Sequence, residues 1–355
     1  MKSRSLKLAI SFILVMIISC DEPETVVTDI VHPDGSVTRK IEMKNLENKF
    51  ETNNIQVPFD TTWIVKDSLE ISDNGDTTWV KRAEKLFGNV AEINQAYIAD
   101  SGGNRGIPRR AEFRKAFKWF NTEYRFAEII DKKIENGYPV SDFLNQEELK
   151  WFYSPESVVN EKTGGPDSLK YKAFDDTIRK KTDLWGFKCL VSEWSAEFLK
   201  LTEGKGGNDI NAISLKARED ELVKLIEKDE DHLDSLWDNG IILQQFLGEE
   251  NGKKFRIEAD SAASVAANNV FFNFDNYTVK IIMPGELIGT NGFVDSTGIM
   301  LWPVKSDYFI AQQYEMWAES KTPNRWAWVV TGAFLLFVLG GIIFRTVKKK
   351  RQGRN

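Results

Sequence analysis

The chain has 355 residues, 42% of them hydrophobic and 28% charged, a globular mixture that excludes a wholly disordered, collagenous or polytopic membrane protein. Its charge of −6 is unevenly placed: residues 1–20 and 326–355 hold nine basic residues and no acidic one, leaving 38 basic against 53 acidic, a net −15, in 21–325. A body this acidic repels phosphate backbones, which argues against a nucleic-acid partner.

The N-terminal stretch 1–19 reads as an export signal. Lys2, Arg4 and Lys7 precede a short apolar run from Leu8 to Ile18, too short for a span of about 20 residues. Met16-Ile-Ile-Ser19-Cys20 resembles a bacterial lipobox, with Ile17 where that family prefers Leu. The resemblance implies cleavage before Cys20, diacylation of its thiol, and, through Asp21, retention at the inner membrane.

Residues 20–131 are predicted to be β-rich. Thr25–Lys44 places Val26, Val27, Ile30, Val37, Ile41 and Met43 around Pro33-Asp34-Gly35-Ser36, the pattern of a hairpin. A second hairpin is predicted from an echo, Asp60-Thr-Thr-Trp63 and Asp76-Thr-Thr-Trp79, turning at Asp73-Asn74-Gly75. Val90, Ile93, Asn94 and Tyr97 have helical spacing. Phe113, Phe117, Trp119, Phe120, Tyr124 and Phe126 then predict one long strand or two paired ones, read as sheet core or as a ligand platform.

A helical block is expected over 132–260. Asn145 and Glu148 form a capping-box pattern, and a long amphipathic segment ends near Leu201. Two further helical patterns reach Gly248. Residues 261–323 are expected to form a β-meander through Tyr277–Met283, Gly298–Trp302 and Tyr314–Ser320.

Trp326–Phe344 is an uncharged run of 19 residues, and at ~1.5 Å per residue it is about 28 Å long, close to the hydrocarbon thickness. It is predicted to be a transmembrane helix. Trp326 and Trp328 mark one interface, and the basic tail 345–355 places the other in the cytoplasm. With an acyl group on Cys20, both ends of the ectodomain are expected to return to one leaflet, that of a bacterial inner membrane, with the body in the periplasm. The fold class is therefore α+β: an antiparallel sheet from N- and C-terminal strands, an inserted helical block and one C-terminal transmembrane helix. Asp34-Gly35-Ser36, Pro284-Gly285, Asn291-Gly292 and Trp302 resemble the LppM-like lipoprotein domain, which implies lipid or glycolipid binding.

Reactive constellations are scarce. Two His (His32, His232) and two Cys (Cys20, Cys189) give little material for a zinc cluster or a disulfide framework, and Cys189 is expected to be a buried thiol. No HExxH, GxSxG, GxGxxG, Walker loop or CxxC occurs. No catalytic residue, metal ligand or cofactor is therefore assigned. Asp followed by Ser or Thr recurs, giving Thr61, Ser68, Thr77, Ser168, Thr177, Ser235, Ser261 and Ser296 as candidate O-glycosylation sites by resemblance to a bacterial acceptor triplet. The same pairs also serve turns and caps. Three functions follow as expectations: a doubly anchored binding module for lipid or glycolipid, a scaffold recruiting a protein partner, and a glycan hydrolase.

Overall fold

The computed structural model describes residues 24–46, 50, 60–71, 77–100, 107–205, 211–227, 233–272, 274–295 and 297–352. Segment 1–19, Cys20, the turn at 73–75 and Ser296 lie outside them. The chain is mixed α+β, with two packed sheets, a helical block and one long apolar C-terminal helix.

Alternation builds the first hairpin. Strands β1 (Glu24–Val31) and β2 (Val37–Asn45) bury every second residue, among them Val27, Val31, Val37, Ile41 and Met43. The turn between them is closed by Asp34 Oδ1, which accepts from the Ser36 backbone N–H at 3.0 Å, and by Gly35 at φ +95°. β3 (Ile64–Ile71) and β4 (Thr77–Phe87) form the second hairpin, and β4 pairs with β2. The sequence echo does not give equivalent positions: Trp63 is buried against Phe87, whereas Trp79 is half-exposed on β4. Helix α1 (Val90–Ala99) starts at Asn89, whose side chain caps two backbone N–H groups, and it buries Ile93.

The aromatic stretch is two paired strands, β5 (Arg109–Phe117) and β6 (Asn121–Ile130). β7 (Tyr277–Ile282), β8 (Glu286–Thr290), β9 (Phe293–Val294), β10 (Met300–Val304) and β11 (Tyr314–Pro323) complete the two sheets. One runs β3-β4-β2-β1-β7-β10-β9 and the other β5-β6-β11-β8. Strands from the N-terminal and C-terminal parts of the chain do combine, though one pair departs from the expected antiparallel sheet. β1 pairs with β7, in parallel, while β11 lies in the second sheet between β6 and β8. A parallel pair requires a long crossover, and here it runs through β2 to β6 and the whole helical block.

That block contains α2 (Gln146–Phe152), α3 (Glu156–Gly164), α4 (Ser168–Thr202), α5 (Ala212–Ala217), α6 (Glu219–Glu227), α7 (Leu233–Asp238), α8 (Ile241–Leu247), α9 (Glu249–Lys254) and α10 (Arg256–Val270). The capping box at Asn145 is present, and α4 is one continuous helix. Four short helices replace the two expected up to Gly248, divided at the Arg218 cap and at Gly240, whose φ is +73°. α10 continues ten residues past the expected boundary at 260, because Ala259, Ala262, Ala263, Ala266 and Ala267 carry its buried stripe against α4.

Contacts between the sheets fix the ends of the sandwich. Gly285, after β7, packs on the Lys321 carbonyl near the end of β11, and the Tyr314 hydroxyl at the start of β11 donates to the Pro303 carbonyl at 2.8 Å. Pro303 is paired with Thr278, which lies beside Val26. Val26 is thus level with Tyr314, and at ~3.3 Å per residue Glu24 stands about 35 Å from Pro323. The chain enters the sandwich at one end and leaves it at the other.

Helix α11 (Arg325–Gln352) follows β11 directly, and its Arg325–Thr346 portion is long and apolar enough to cross a membrane.

Candidate functional site

Among the described residues, chemistry-bearing side chains come together in the interior between the sheets, on the outer face of the β5–β11 sheet, and at the junction with α11.

In the interior, the alternation of β1 and β2 puts Asp29 and Arg39 where apolar residues belong, between Val27 and Val31 and between Val37 and Ile41. They are direct cross-strand partners. Arg39 donates from Nε and Nη2 to the two carboxylate oxygens of Asp29 at 2.7 and 2.8 Å, a bidentate pair. Its Nη2 also donates to Glu128 on β6, and its Nη1 donates to the Tyr97 hydroxyl at 2.6 Å. Tyr97 in turn donates to Glu128 at 2.8 Å. Arg109 lies 5.2 Å from the Tyr97 ring and 3.7 Å from the Asp100 carboxylate.

Burial raises the Asp29 carboxyl to about 6 against the opposing charge of Arg39, and Glu128 adds a like charge. Burial likewise pushes the Tyr97 phenol well above its usual range. A carboxyl near 6 is in the range of a general acid, but both Asp29 oxygens accept from Arg39 inside the core. Asp29 and Glu128 therefore converge on a guanidinium, and the cluster clamps β1, β2, α1 and β6. The signal in the sequence was a charged residue at a core position of each of three strands; reading the hairpin by its apolar residues alone passed over it.

The aromatic sheet packs mainly as core. Phe126 is fully buried and Tyr124 nearly so, with Phe113 stacked on Tyr124 at 6.3 Å. On the opposite face, Arg125 pairs with Glu315 at 2.9 Å and with Glu319 at 2.8 Å, over the Trp317 ring. This face is a ladder of half-buried ion pairs.

The three aromatic residues around the β5–β6 turn leave the core. Phe117, Trp119 and Phe120 meet α11: Phe117 stacks on Trp326 at 6.1 Å, Trp119 meets Trp326 edge-on at 5.5 Å, and Phe120 contacts Trp328 at 4.3 Å. Trp119 Nε1 donates to Thr331 Oγ1 at 2.8 Å. Asn324, between β11 and α11, donates its backbone N–H to the Phe120 carbonyl and its amide to the Lys118 carbonyl, both at 2.8 Å, and accepts from Thr122 at 2.9 Å. Helix α11 is held to the sheet by this joint.

The remaining sequence candidates are dispersed. Thr61, Thr77, Thr177 and Ser261 are exposed, Ser68 and Ser168 are half-buried, and Ser235 lies on α7. Thr177 and Ser261 donate to carbonyls one helical turn back, each at 2.8 Å. Asp60 and Asp295 serve turns, accepting from Thr62 and Thr297. Cys189 is fully buried, and burial pushes its thiol up to about 11. Among the described residues no group of three or more His, Cys, Asp or Glu is arranged to hold a metal ion.

No family model matches the chain, and no curated protein or solved structure matches it either.

Proposed function

We propose that this chain is an extracytoplasmic module of the bacterial envelope, carried in the inner membrane by α11 with its basic tail in the cytoplasm, acylated at Cys20, and acting as a non-catalytic binding module for lipid or glycolipid. The observation that supports it best is the Asn324 joint, which seats the β5–β11 sheet directly on the start of a membrane-length helix. The resemblance of its turn motifs to the LppM-like lipoprotein domain points to lipid as the ligand class. Because Phe126 and Tyr124 are core, the lipid contact belongs at the membrane-facing end of the sheet rather than beneath it.

A scaffold is the second reading, favoured by the separation of the two ends. Residues 20–23 cover at most about 14 Å, and Glu24 stands about 35 Å above Pro323. With β1 paired, an acyl group on Cys20 therefore reaches a membrane surface other than the leaflet entered by α11, and the module links the two. Native mass spectrometry of the full chain, extracted with its own lipids, tests both readings. A retained lipid beyond the covalent acyl group supports the binding module, and a retained protein supports the scaffold. The same mass reports Cys20 acylation and any glycan; a bare polypeptide mass removes both modifications.

A further inference from the structure

We infer that the β5–β6 turn is a membrane contact in its own right: a wedge of Phe117, Trp119 and Phe120 that enters the interfacial layer of the bilayer beside α11 and engages anionic lipid headgroups. The inference rests on α11 spanning a membrane and adds to that reading the surface that meets lipid.

Depth is the first argument. Trp119 bonds to Thr331, five residues beyond Trp326, which is about 8 Å along a helix axis at ~1.5 Å per residue. The polar interfacial layer on each side of the hydrocarbon core is itself roughly 5–8 Å deep. The turn therefore lies within about 8 Å, along the helix axis, of Trp326 and Trp328, which mark the interface, a level that Trp residues favour because the ring is apolar and its N–H is a donor. Here that N–H is satisfied by Thr331, which leaves the ring free to face acyl chains.

Exposure is the second argument. Phe117 is 59% exposed, Trp119 48% and Trp326 53%, and their ring contacts join the three into one apolar surface, beside which Trp328, 59% exposed, packs on the half-buried Phe120. On a water-facing turn such a surface is unfavourable; against a bilayer it is buried. The patch is continuous with α11, so lipid is the occupant already beside it.

Charge is the third. From Phe113 to Thr122 there is no acidic residue, while Arg114, Lys115 and Lys118 are basic in a body that is otherwise acidic. Lys115 is turned to the Pro33 carbonyl at 2.8 Å, and Arg114 and Lys118 lie 3.7 and 3.9 Å from Glu112 and Glu123 with most of their side chains exposed. Basic residues next to an apolar wedge match a layer of phosphate headgroups.

The test uses the full chain in nanodiscs of equimolar phosphatidylcholine and phosphatidylglycerol. In a Cys20→Ser, Cys189→Ala background, a polarity-sensitive dye is attached to Ala116→Cys, exposed beside the turn and leaving Arg114 and Lys118 in place, to Ile98→Cys on the exposed face of α1, or to Leu336→Cys within the span. At position 116 the dye is expected to resist aqueous dithionite and to be quenched by lipids carrying a shallow nitroxide. Nitroxide phosphatidylglycerol should quench it about twofold more than nitroxide phosphatidylcholine. A dye at 116 that behaves like the one at 98, while the dye at 336 stays protected, overturns the wedge and leaves the span intact. Exposure at 336 as well overturns both. Protection at 116 without quenching by lipid overturns the wedge in favour of a protein cover, and equal quenching by the two lipids overturns the anionic preference.

Discussion

Asp29 and Arg39 stand directly opposite each other on adjacent strands, both wholly inside the core, and the guanidinium that pairs with Asp29 also reaches Glu128 in the facing sheet. One side chain thus ties β1 and β2 to the sheet that carries α11.

Replacing Arg39 by Leu leaves two carboxylates in the core without their cation, and the expected loss of stability is about 3–5 kcal/mol. Arg125→Ala, which removes half-buried ion pairs on the outer face of the other sheet, should cost about 1 kcal/mol or less. Denaturant unfolding of both variants checks the contrast; equal losses would show that the buried cluster is not the clamp.

The Asp29 carboxyl is raised, so in the folded chain it takes up a proton that the unfolded chain still lacks. Its contribution to stability is present below the ordinary carboxylate value and is lost as the pH rises through about 6. Asp34, Asp60 and Asp295 work in the opposite direction, because hydroxyl and backbone donors lower them and their contribution is lost as the pH falls. The stability of the wild type minus that of Asp29→Asn isolates the first effect. That difference should grow from pH 6 to pH 4, and a flat difference would mean that Asp29 does not titrate there.

Energy transfer gives the height of the sandwich. With a donor on Glu24→Cys in a Cys20→Ser, Cys189→Ala background, and acceptor lipids in a nanodisc, the donor should lie about 35 Å above the membrane surface. A donor within about 15 Å, the reach of the four residues 20–23, would restore the expectation that both ends return to one leaflet.

Cys189 sits on α4 with its sulfur 3.7 Å from the Tyr138 carbonyl, and burial holds the thiol up at about 11. An aromatic disulfide reagent at pH 8 should leave it unmodified in the folded chain and label it at the rate of unfolding in denaturant. Rapid labelling of the native protein would contradict that burial.

Local patterns determined much of this protein. Alternation gave the first hairpin, Asn145 and Glu148 set the start of α2, and an uncharged run flanked by basic residues defined a helix long and apolar enough to cross a membrane, because each depends on residues close in the chain. The pairing of β1 with β7, the placement of Glu24 opposite Pro323, and the meeting of Asp29, Arg39, Tyr97 and Glu128 were decided only by the tertiary structure. These contacts join residues far apart in sequence, and strand periodicity states which face a residue takes without stating which strand lies beside it. The same holds for Phe117, Trp119 and Phe120: their composition marked an aromatic strand, and contact with a helix some two hundred residues away separated them from the core.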